Sequence, residues 1–382
     1  MSVKKPYTVR RVLLQAVQVA QVAQAAQAAQ AVQAAVAAAA EAEEVHLSDI
    51  MENFDYKDFT LQWHITHRCN LRCKHCYQED YSAFQSVEDI ENVLDQYCTL
   101  LKAYNCLGRL NITGGEPLTH PHLFEILRLA HSKGIKTGVL TNGTLIGEWD
   151  ARKLKACHVD YVQISLDGME KVHDSIRGKG SFQKAVNGIY ALKSQGIFTS
   201  ISFTAQNGNL SELKKLAIFC YFLGVDKLWF DRVIIPADED KNKLMVSSED
   251  FQKLCRTAAR FNKRNMVFCG RSLQFIPCKN KLIYHCSAGE NLLIVLANGD
   301  VMPCRRLPFI IGNIKQTDLL TLHQNSPVMN ELRSTGIPES CKDCKYSELC
   351  RGGSKCVAYA KMKRFDIPDP DCKFRKISKA PK

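Results

Sequence analysis

The sequence predicts an α/β protein, a partial (β/α)6 TIM-like barrel followed by a small cysteine-rich domain with a β-hairpin. Short strands rich in β-branched residues alternate with helical patterns six times, which is typical of a parallel sheet covered by helices. Right-handed crossovers between such units curl the sheet into a barrel. The last third of the chain concentrates cysteines instead. We predict residues 55–265 for the barrel and residues 270–375 for the cysteine-rich domain.

Each barrel unit is placed by its apolar pattern. The predicted strands are Leu61–Thr66, Arg109–Thr113, Lys136–Thr141, Tyr161–Leu166, Phe198–Thr204 and Lys227–Ile234. The predicted helices between them are Val87–Tyr104, Pro121–Lys133, Ser181–Gln195 and Leu210–Leu223. In such a barrel the functional groups lie at the carboxyl ends of the strands, and the polar motifs of this chain each follow a predicted strand.

Residues 1–50 form a low-complexity extension before the barrel. Glutamine recurs at every third position from Gln15 to Gln33 among Ala and Val. Ala and Gln favour a helix, but a period of three does not match the helical turn, so no single polar face results. We predict a helical extension that is dispensable for chemistry, and translation from Met51 stays open.

The composition is that of a globular protein. The chain has 382 residues, 46% of them hydrophobic, and no apolar run suited to crossing a bilayer, so we expect no membrane partner. The formal charge is +12, but Lys and Arg are dispersed and no nucleic-acid-reading motif accompanies them. We therefore expect no nucleic-acid partner, and an anionic or carboxylate-bearing partner accounts better for the charge. The 17 cysteines occur in metal-ligand spacings, which predicts reduced thiolates and a cytoplasmic protein.

Three cysteines follow the first predicted strand at C-x3-C-x2-C spacing: Cys69, Cys73 and Cys76. Such a loop gives three thiolates to an iron–sulfur cluster and leaves one iron without a protein ligand, whereas ordinary electron-transfer clusters take four cysteines. That free iron can bind a substrate or a cofactor. A zinc site completed by His67 or His75 is the alternative that the spacing leaves open.

The spacing, with an aromatic residue after the third cysteine, resembles that of the radical S-adenosylmethionine (SAM) superfamily. The resemblance implies that the amine and carboxylate of SAM chelate the open iron of a 4Fe–4S cluster. One-electron reduction then cleaves SAM and yields a 5′-deoxyadenosyl radical, which abstracts hydrogen from the substrate.

A glycine pair follows the second predicted strand, in the run Thr113-Gly114-Gly115-Glu116-Pro117. Two glycines let the backbone approach a ligand closely, and the carbonyls and Glu116 can accept hydrogen bonds from an ammonium. The run resembles the GGEP motif of the superfamily, which implies that Gly114, Gly115, Glu116 and Pro117 hold the SAM amino group. A Gly-Gly-Pro turn with a solvated glutamate is the alternative.

Further polar groups follow the next strands. Asn142 lies in a tight turn whose amide would reach the ligand. The run from Ser165 to Arg177 resembles the S-x-D-G…H-D-x-x-R segment of peptide- and protein-modifying members. That resemblance implies that Ser165 and Arg177 bind the SAM carboxylate, with a surface arginine as the alternative. Asn209 would contact SAM or cap the next helix.

The C-terminal third contains eight cysteines, enough for two more cubane clusters. Within it, Ala297-Asn298-Gly299-Asp300 is a strong hairpin signal that brings the flanking cysteines toward one site. The pattern resembles the SPASM extension, an auxiliary-cluster domain that follows many radical SAM barrels. The resemblance implies three 4Fe–4S clusters in all, together with SAM.

One position departs from the SPASM pattern. Ser354 stands where a cysteine is usual, and Cys356 lies two residues later as the natural substitute. We therefore predict two ligand sets: Cys278, Cys286, Cys304 and Cys356 for the first auxiliary cluster, and Cys341, Cys344, Cys350 and Cys372 for the second. An open iron on the first cluster and a zinc ribbon stay as alternatives.

Four functions compete. The leading hypothesis is maturation of a ribosomally made peptide by thioether formation, carbon–carbon crosslinking or epimerisation, with auxiliary clusters that relay electrons or bind substrate. The others are an anaerobic sulfatase-maturing enzyme, a tetrapyrrole side-chain decarboxylase that would use Arg305 and Arg306, and a non-catalytic electron carrier. The implied partners are a precursor peptide, a flavodoxin- or ferredoxin-type reductant, and a separate peptide-recognition protein. The sequence identifies no catalytic acid or base.

Overall fold

Seven parallel strands follow one another around a curved sheet, one more than the six that the sequence predicts. A computed structural model describes residues 58–76, 78, 81, 87–234, 241–261, 266–269 and 285–374, all within one compact unit. The strands are β1 Asp58–Thr66, β2 Leu107–Gly114, β3 Lys136–Thr141, β4 Tyr161–Ser165, β5 Thr199–Ala205, β6 Lys227–Arg232 and β7 Val267–Cys269. Each strand pairs in parallel with the next, which confirms the α/β barrel. The predicted extension and Cys278 lie outside the described residues.

Helices connect these strands and cover the sheet. They are α1 Val87–Tyr104, α2 Leu123–Ser132, α3 Glu148–Ala156, α4 Glu170–Arg177, α5 Ser181–Ser194, α6 Glu212–Phe222 and α7 Ser248–Phe261. The four predicted helices are present. Helices α3 and α4 are short and rich in charged residues, so each has too few apolar residues for a helix to be predicted from the apolar pattern. No helix in the described part of the chain is long and apolar enough to cross a membrane.

The C-terminal hairpin continues the barrel sheet. Strand β8 (Leu292–Val295) pairs in parallel with β1, and β9 (Asp300–Met302) and β10 (Gly312–Asn313) follow in antiparallel pairing. The predicted turn at Asn298-Gly299 is therefore present, but its strands extend the barrel sheet to ten strands. Strand β1 gains a hydrogen-bonding partner on its second edge, where unpaired backbone groups would otherwise be exposed.

Four further helices complete the C-terminal region: α8 Leu319–Asn325, α9 Pro327–Ser334, α10 Ser347–Cys350 and α11 Lys355–Met362. Helix α8 packs on α1 of the barrel. The side chain of Gln96 fixes this contact, because it donates to the carbonyl of Ile314 and accepts from the amide of Leu319. The hydrophobic core of the barrel continues into α8, α9 and α10, and a second, smaller cluster packs around α11.

A buried ion-pair network joins the end of β6 to the C-terminal segment. The guanidinium of Arg232 contacts both carboxylate oxygens of Asp369, at 2.9 and 3.1 Å, and one oxygen of Asp371 at 2.5 Å. All three side chains are almost fully buried. A second pair, Arg306 with Asp231 at 2.8 Å, makes a parallel link between the hairpin region and β6.

Replacing Asp369 with Ala should destabilise the protein strongly, because it leaves the buried Arg232 charge without its bidentate partner. Removing one member of a buried pair typically costs about 3–5 kcal/mol. Urea unfolding of anaerobically prepared protein measures this change. The matched control is Asp366→Ala, which breaks an exposed pair with Arg364 and should leave the midpoint nearly unchanged. Equal midpoints for the two variants would contradict the role given to the network.

Candidate active site

The carboxyl ends of the strands surround a cavity of about 280 Å³, the barrel cavity. Strands β2 to β6 each contribute residues to its wall, as expected for a parallel barrel. It is lined by eight of the residues that the sequence singles out: Cys69, Cys73, Cys76, Gly114, Gly115, Asn142, Ser165 and Arg177. The fold therefore brings motifs more than 100 residues apart to one site, and the SAM-binding roles of these residues stay predictions.

Backbone hydrogen bonds shape the cysteine loop. The amide of Cys76 donates to the carbonyl of Cys73 at 3.0 Å, and the amide of Lys74 donates to the carbonyl of Ile176 at 3.0 Å. Two further amides, of Leu71 and Gln78, donate to the sulfurs of Cys69 and Cys76 at 3.4 Å. The loop thus directs its thiols into the cavity and supports negative charge on two of them.

The thiols of the cysteine loop are suited to binding a cationic group. Burial raises the pKa of Cys73 to about 11, against the opposing effect of Arg177, whose Nη1 lies 3.9 Å from the sulfur. A thiolate there requires nearby positive charge, which the irons of a cluster supply. Among the described residues, no three His, Cys, Asp or Glu side chains form a site for a single metal ion. The three thiols, spread around one cavity, fit the wider ligand set of a cubane cluster.

The glycine pair packs directly against the start of the cysteine loop. The amide of Gly115 donates to the carbonyl of Thr66 and the amide of Glu116 donates to the carbonyl of Arg68, both at 2.7 Å. A Cβ atom on Gly114 would overlap the Thr66 carbonyl oxygen, and one on Gly115 would overlap that of Arg68. Gly114 also has a φ of +146°, which side-chain-bearing residues rarely adopt. Only glycine allows this backbone contact.

Glu116 braces the cavity wall from behind. Its carboxylate is fully buried and accepts hydrogen bonds from the Thr141 hydroxyl at 2.6 Å, the Asn142 amide at 2.8 Å and the Leu118 amide at 3.2 Å. Burial raises its pKa to about 6, although these hydrogen bonds oppose the rise. Its oxygens are therefore engaged within the wall, and the role of Glu116 in holding the SAM amino group stays a prediction. Pro117 is buried as well and begins a single 3-10 turn.

Arg177 is fixed by a buried acid. Its Nε donates to Asp167 at 2.6 Å, and the other oxygen of Asp167 accepts from the Thr204 amide at 2.9 Å. Burial opposes ionisation of Asp167, but the charges of Arg177 and His75, together with the hydrogen bonds from Arg177 and the Thr204 amide, outweigh it and lower the Asp167 pKa below its usual range. Arg177 is therefore a buried wall residue of the cavity, and the surface-loop alternative is wrong.

Asn209 holds the strand ends together. Its side-chain amide donates to the carbonyls of Asp167 and Thr204, at 3.1 and 2.9 Å, and its oxygen accepts from the Gln206 amide. The following helix begins after Ser211, so Asn209 is not its N-cap residue. Its side-chain contacts are with the end of β5 and with the loops that follow β4 and β5.

A second cavity of about 210 Å³, the Cys304 cavity, collects three cysteines of the first predicted auxiliary set. Cys286, Cys304 and Cys356 line it together with Ser354. Cys356 therefore lies in the same cavity as Ser354, which stands where the SPASM pattern has a cysteine. Its role as a ligand stays a prediction, as does that of Cys278, which lies outside the described residues.

The second predicted auxiliary set also converges. Its four members line one small cavity, the Cys350 cavity: Cys341, Cys344, Cys350 and Cys372. Burial raises the pKa of Cys341 and of Cys350, and the neighbouring cysteines add to the effect. Four thiols crowded in this way need a cationic partner to ionise together.

Strand β1 separates the barrel cavity from the Cys304 cavity. Its inner face presents His64 to the first, Thr60 to the second and Gln62 to both. The Nε2 atoms of Gln62 and His64 lie 3.0 Å apart. Burial, and then the charge of Arg305, lower the pKa of His64 well below its usual value, so its imidazole is neutral. Sequence reasoning missed this pair, whose only signal is polar residues alternating within an apolar strand.

The fold and the convergent thiols define an enzyme barrel with a cysteine-rich extension built to hold iron–sulfur clusters. The model of the radical SAM superfamily matches residues 63–220, and that of the SPASM iron–sulfur cluster-binding domain matches residues 286–345. The chain belongs to the radical SAM superfamily and carries a SPASM domain. Membership implies iron–sulfur clusters and SAM as its cofactors.

Two relatives and one structure show the range of the family. Pre-heme d1 synthase of Dinoroseobacter shibae is 30% identical over 358 residues, covering 81% of this chain and 85% of that protein. The subtilosin biosynthesis protein AlbA of Bacillus subtilis is 31% identical over 298 residues, covering 75% of this chain and 65% of AlbA. Streptococcus suis SuiB, bound to its precursor peptide SuiA, has a TM-score of 0.65 at 19% identity, covering 85% of this chain and 78% of SuiB.

Replacing Gly115 with Ala should weaken SAM binding about tenfold or more, because the new Cβ forces the cysteine loop away from the glycine pair. The SAM-induced change in the EPR spectrum of the reduced cluster measures the affinity. Gly147→Ala is the matched control, since Gly147 has an ordinary backbone conformation and a Cβ there would make only an ordinary contact, 3.6 Å from the Asp150 carboxylate. Unchanged affinity in Gly115→Ala would show that the loop position does not depend on this contact.

Anaerobically prepared protein should contain about 12 iron atoms per chain and negligible zinc, as expected for three cubane clusters. Cys356→Ala should remove or spectroscopically alter one cluster, since it deletes a thiol of the Cys304 cavity. Iron analysis and EPR check this, with Cys220→Ala, a fully buried thiol of α6, as the control. An unchanged iron content and EPR spectrum in Cys356→Ala would exclude Cys356 as a ligand.

Proposed function

We propose that this radical SAM enzyme modifies a ribosomally made precursor peptide, by forming a thioether or carbon–carbon crosslink or by epimerising a residue. The observation that carries the proposal is the shared wall between two thiol-lined cavities. A substrate bound at the barrel cavity lies one strand away from the Cys304 cavity, and Gln62 contacts both. Such proximity suits a reaction in which a substrate radical must lose an electron after hydrogen abstraction.

The residues of the barrel cavity have distinct tasks in this proposal. Cys69, Cys73 and Cys76 would hold the first cluster, which when bound supplies the electron that cleaves SAM to the 5′-deoxyadenosyl radical. The carbonyls of the glycine pair would accept from the SAM amine, and Ser165 and Arg177 would bind its carboxylate. Asp167 keeps the Arg177 fork in place through the 2.6 Å bond. His64 is neutral and lines the same cavity, where its Nε2 accepts from the side-chain amide of Gln62.

The cysteines of the C-terminal region would hold two auxiliary clusters that relay electrons or bind a substrate thiolate. Their convergence in two cavities supports this assignment. A flavodoxin- or ferredoxin-type protein would supply the reducing electron, and a separate recognition protein would deliver the peptide. The relationship to AlbA, a bacteriocin biosynthesis protein, supports a peptide substrate.

A second candidate is oxidative decarboxylation of tetrapyrrole propionate side chains. Arg232, Arg305 and Arg306 line the barrel cavity and would receive carboxylates. The relationship to a pre-heme d1 synthase supports this candidate. The two candidates share the SAM chemistry and differ in the substrate that enters the cavity.

Co-expression of the chain with each short open reading frame encoded beside its gene tests the peptide proposal. A crosslinked product should lose the mass of two hydrogens, and an epimerised product should gain one deuterium when formed in D2O. Mass spectrometry of the purified peptides checks both changes, with the inactive Cys73→Ala variant as the control. If no peptide changes but a propionate-bearing tetrapyrrole loses carbon dioxide with the purified enzyme, the second candidate replaces the first.

A further inference from the structure

The wall of the barrel cavity is strongly cationic. Four arginines line it, namely Arg177, Arg232, Arg305 and Arg306, and no carboxylate side chain is among its described lining residues. The aspartates that pair with three of these arginines lie outside the lining. A cavity with this charge pattern favours an anionic occupant.

The arginines divide into two groups by position. Arg177 lies against Cys73 of the cysteine loop, where the SAM carboxylate is expected. Arg305 and Arg306 directly follow Cys304, which itself lines the neighbouring cavity. These two arginines therefore lie on the side of the barrel cavity next to the Cys304 cavity. SAM bound at the cysteine loop does not require them.

Two of the guanidinium groups in this second region are held in place by buried or half-buried acids. Arg306 donates from Nη1 to Asp231 at 2.8 Å, which leaves its other nitrogens available. Arg232 uses both terminal nitrogens for Asp369 and Asp371, and its Nε is too deeply buried for a ligand to reach, so Arg232 adds positive charge to the wall without offering a donor. Ion pairs that fix a guanidinium without occupying all its donors pre-organise it for a ligand.

We propose that Arg305 and Arg306 form a subsite that binds a carboxylate of the substrate, separate from the site of the SAM carboxylate. This inference rests on the proposed function, because it assigns the subsite to the molecule that the radical attacks. A carboxylate bound there lies between the cysteine loop and the Cys304 cavity. The carboxylate belongs either to an acidic peptide side chain or to a tetrapyrrole propionate.

The test uses anaerobically prepared, cluster-loaded protein saturated with SAM, so that the SAM carboxylate cannot occupy the subsite. Two pairs of probes differ only in their carboxylates: coproporphyrin III with its tetramethyl ester, and acetylated, amidated tetraglutamate with tetraglutamine. Equilibrium dialysis gives each affinity. At least one acidic probe should bind about tenfold or more tightly than its neutral partner, since charged hydrogen bonds contribute about 1.5–3 kcal/mol each.

The variants Arg305→Gln and Arg306→Gln should each weaken the acidic probe about tenfold and leave its neutral partner unaffected. Arg305→Lys should restore part of the affinity, and Arg364→Gln, an exposed arginine outside the cavity, is the matched control. Which acidic probe binds identifies the source of the carboxylate. Binding of neither probe, equal binding of acidic and neutral partners, or unchanged affinity in both Gln variants would overturn the subsite.

Cleavage of SAM to 5′-deoxyadenosine, measured in the same samples after reduction, separates the two proposals. Protein that cleaves SAM but binds no carboxylate retains radical chemistry and lacks the subsite. Protein that binds the acidic probe through Arg305 and Arg306 but never cleaves SAM retains the subsite and refutes the proposed function.

Discussion

The backbone contact between the glycine pair and the start of the cysteine loop is the constraint on which the active site depends. Two short hydrogen bonds join Gly115 and Glu116 to the carbonyls of Thr66 and Arg68, in a space that excludes any Cβ atom. The contact fixes the end of β1 against the end of β2, and so fixes where the three thiols begin. Glu116 extends the same constraint to β3 through its hydrogen bonds with Thr141 and Asn142. These polar contacts thus hold four segments of the cavity in place: the end of β1, the cysteine loop, the glycine pair and the end of β3.

Strand β1 connects the two parts of the molecule. It pairs with β2 on one edge and β8 on the other, so the SPASM hairpin is part of the same sheet as the barrel. Its outward side chains, such as Trp63, are buried in the core, while its inner face carries Thr60, Gln62 and His64 between two cavities. The separation of the barrel cavity from the Cys304 cavity is therefore set by the sheet itself. A flexible linker between two separate domains would not fix it.

Buried aspartates pair with the arginines that line the barrel cavity. Asp167, Asp369 and Asp371 are buried acids, and each fixes an arginine that lines the barrel cavity. Such pairs contribute less to stability than their Coulomb energy suggests, because both ions lose water. Their effect here is orientation, because the acids stand outside the cavity that the arginines line. The cavity consequently has a positive wall although its arginines are mostly paired.

The sequence by itself determined the order of the β/α units, the cysteine loop, the glycine motif and the two sets of C-terminal cysteines. These features are local: strand periodicity, loop spacing and turn chemistry are read within a few residues, and the motifs occur where each strand ends. Helices such as α3 and α4 escaped prediction because they are short and contain few apolar residues. The hairpin strands were expected in a separate domain. No local pattern shows that β8, besides forming the hairpin with β9, also pairs with β1, which lies about 230 residues earlier in the chain.

Only the tertiary structure decided which polar residues share a cavity. Arg177 is a buried wall residue, Glu116 lies behind the wall with its oxygens engaged, and Cys356 lies beside Cys304. The arginines at 232, 305 and 306 come from distant segments, and no spacing rule relates them. These outcomes depend on the direction of each side chain and on contacts across the sheet, and such contacts form only when the whole chain has folded.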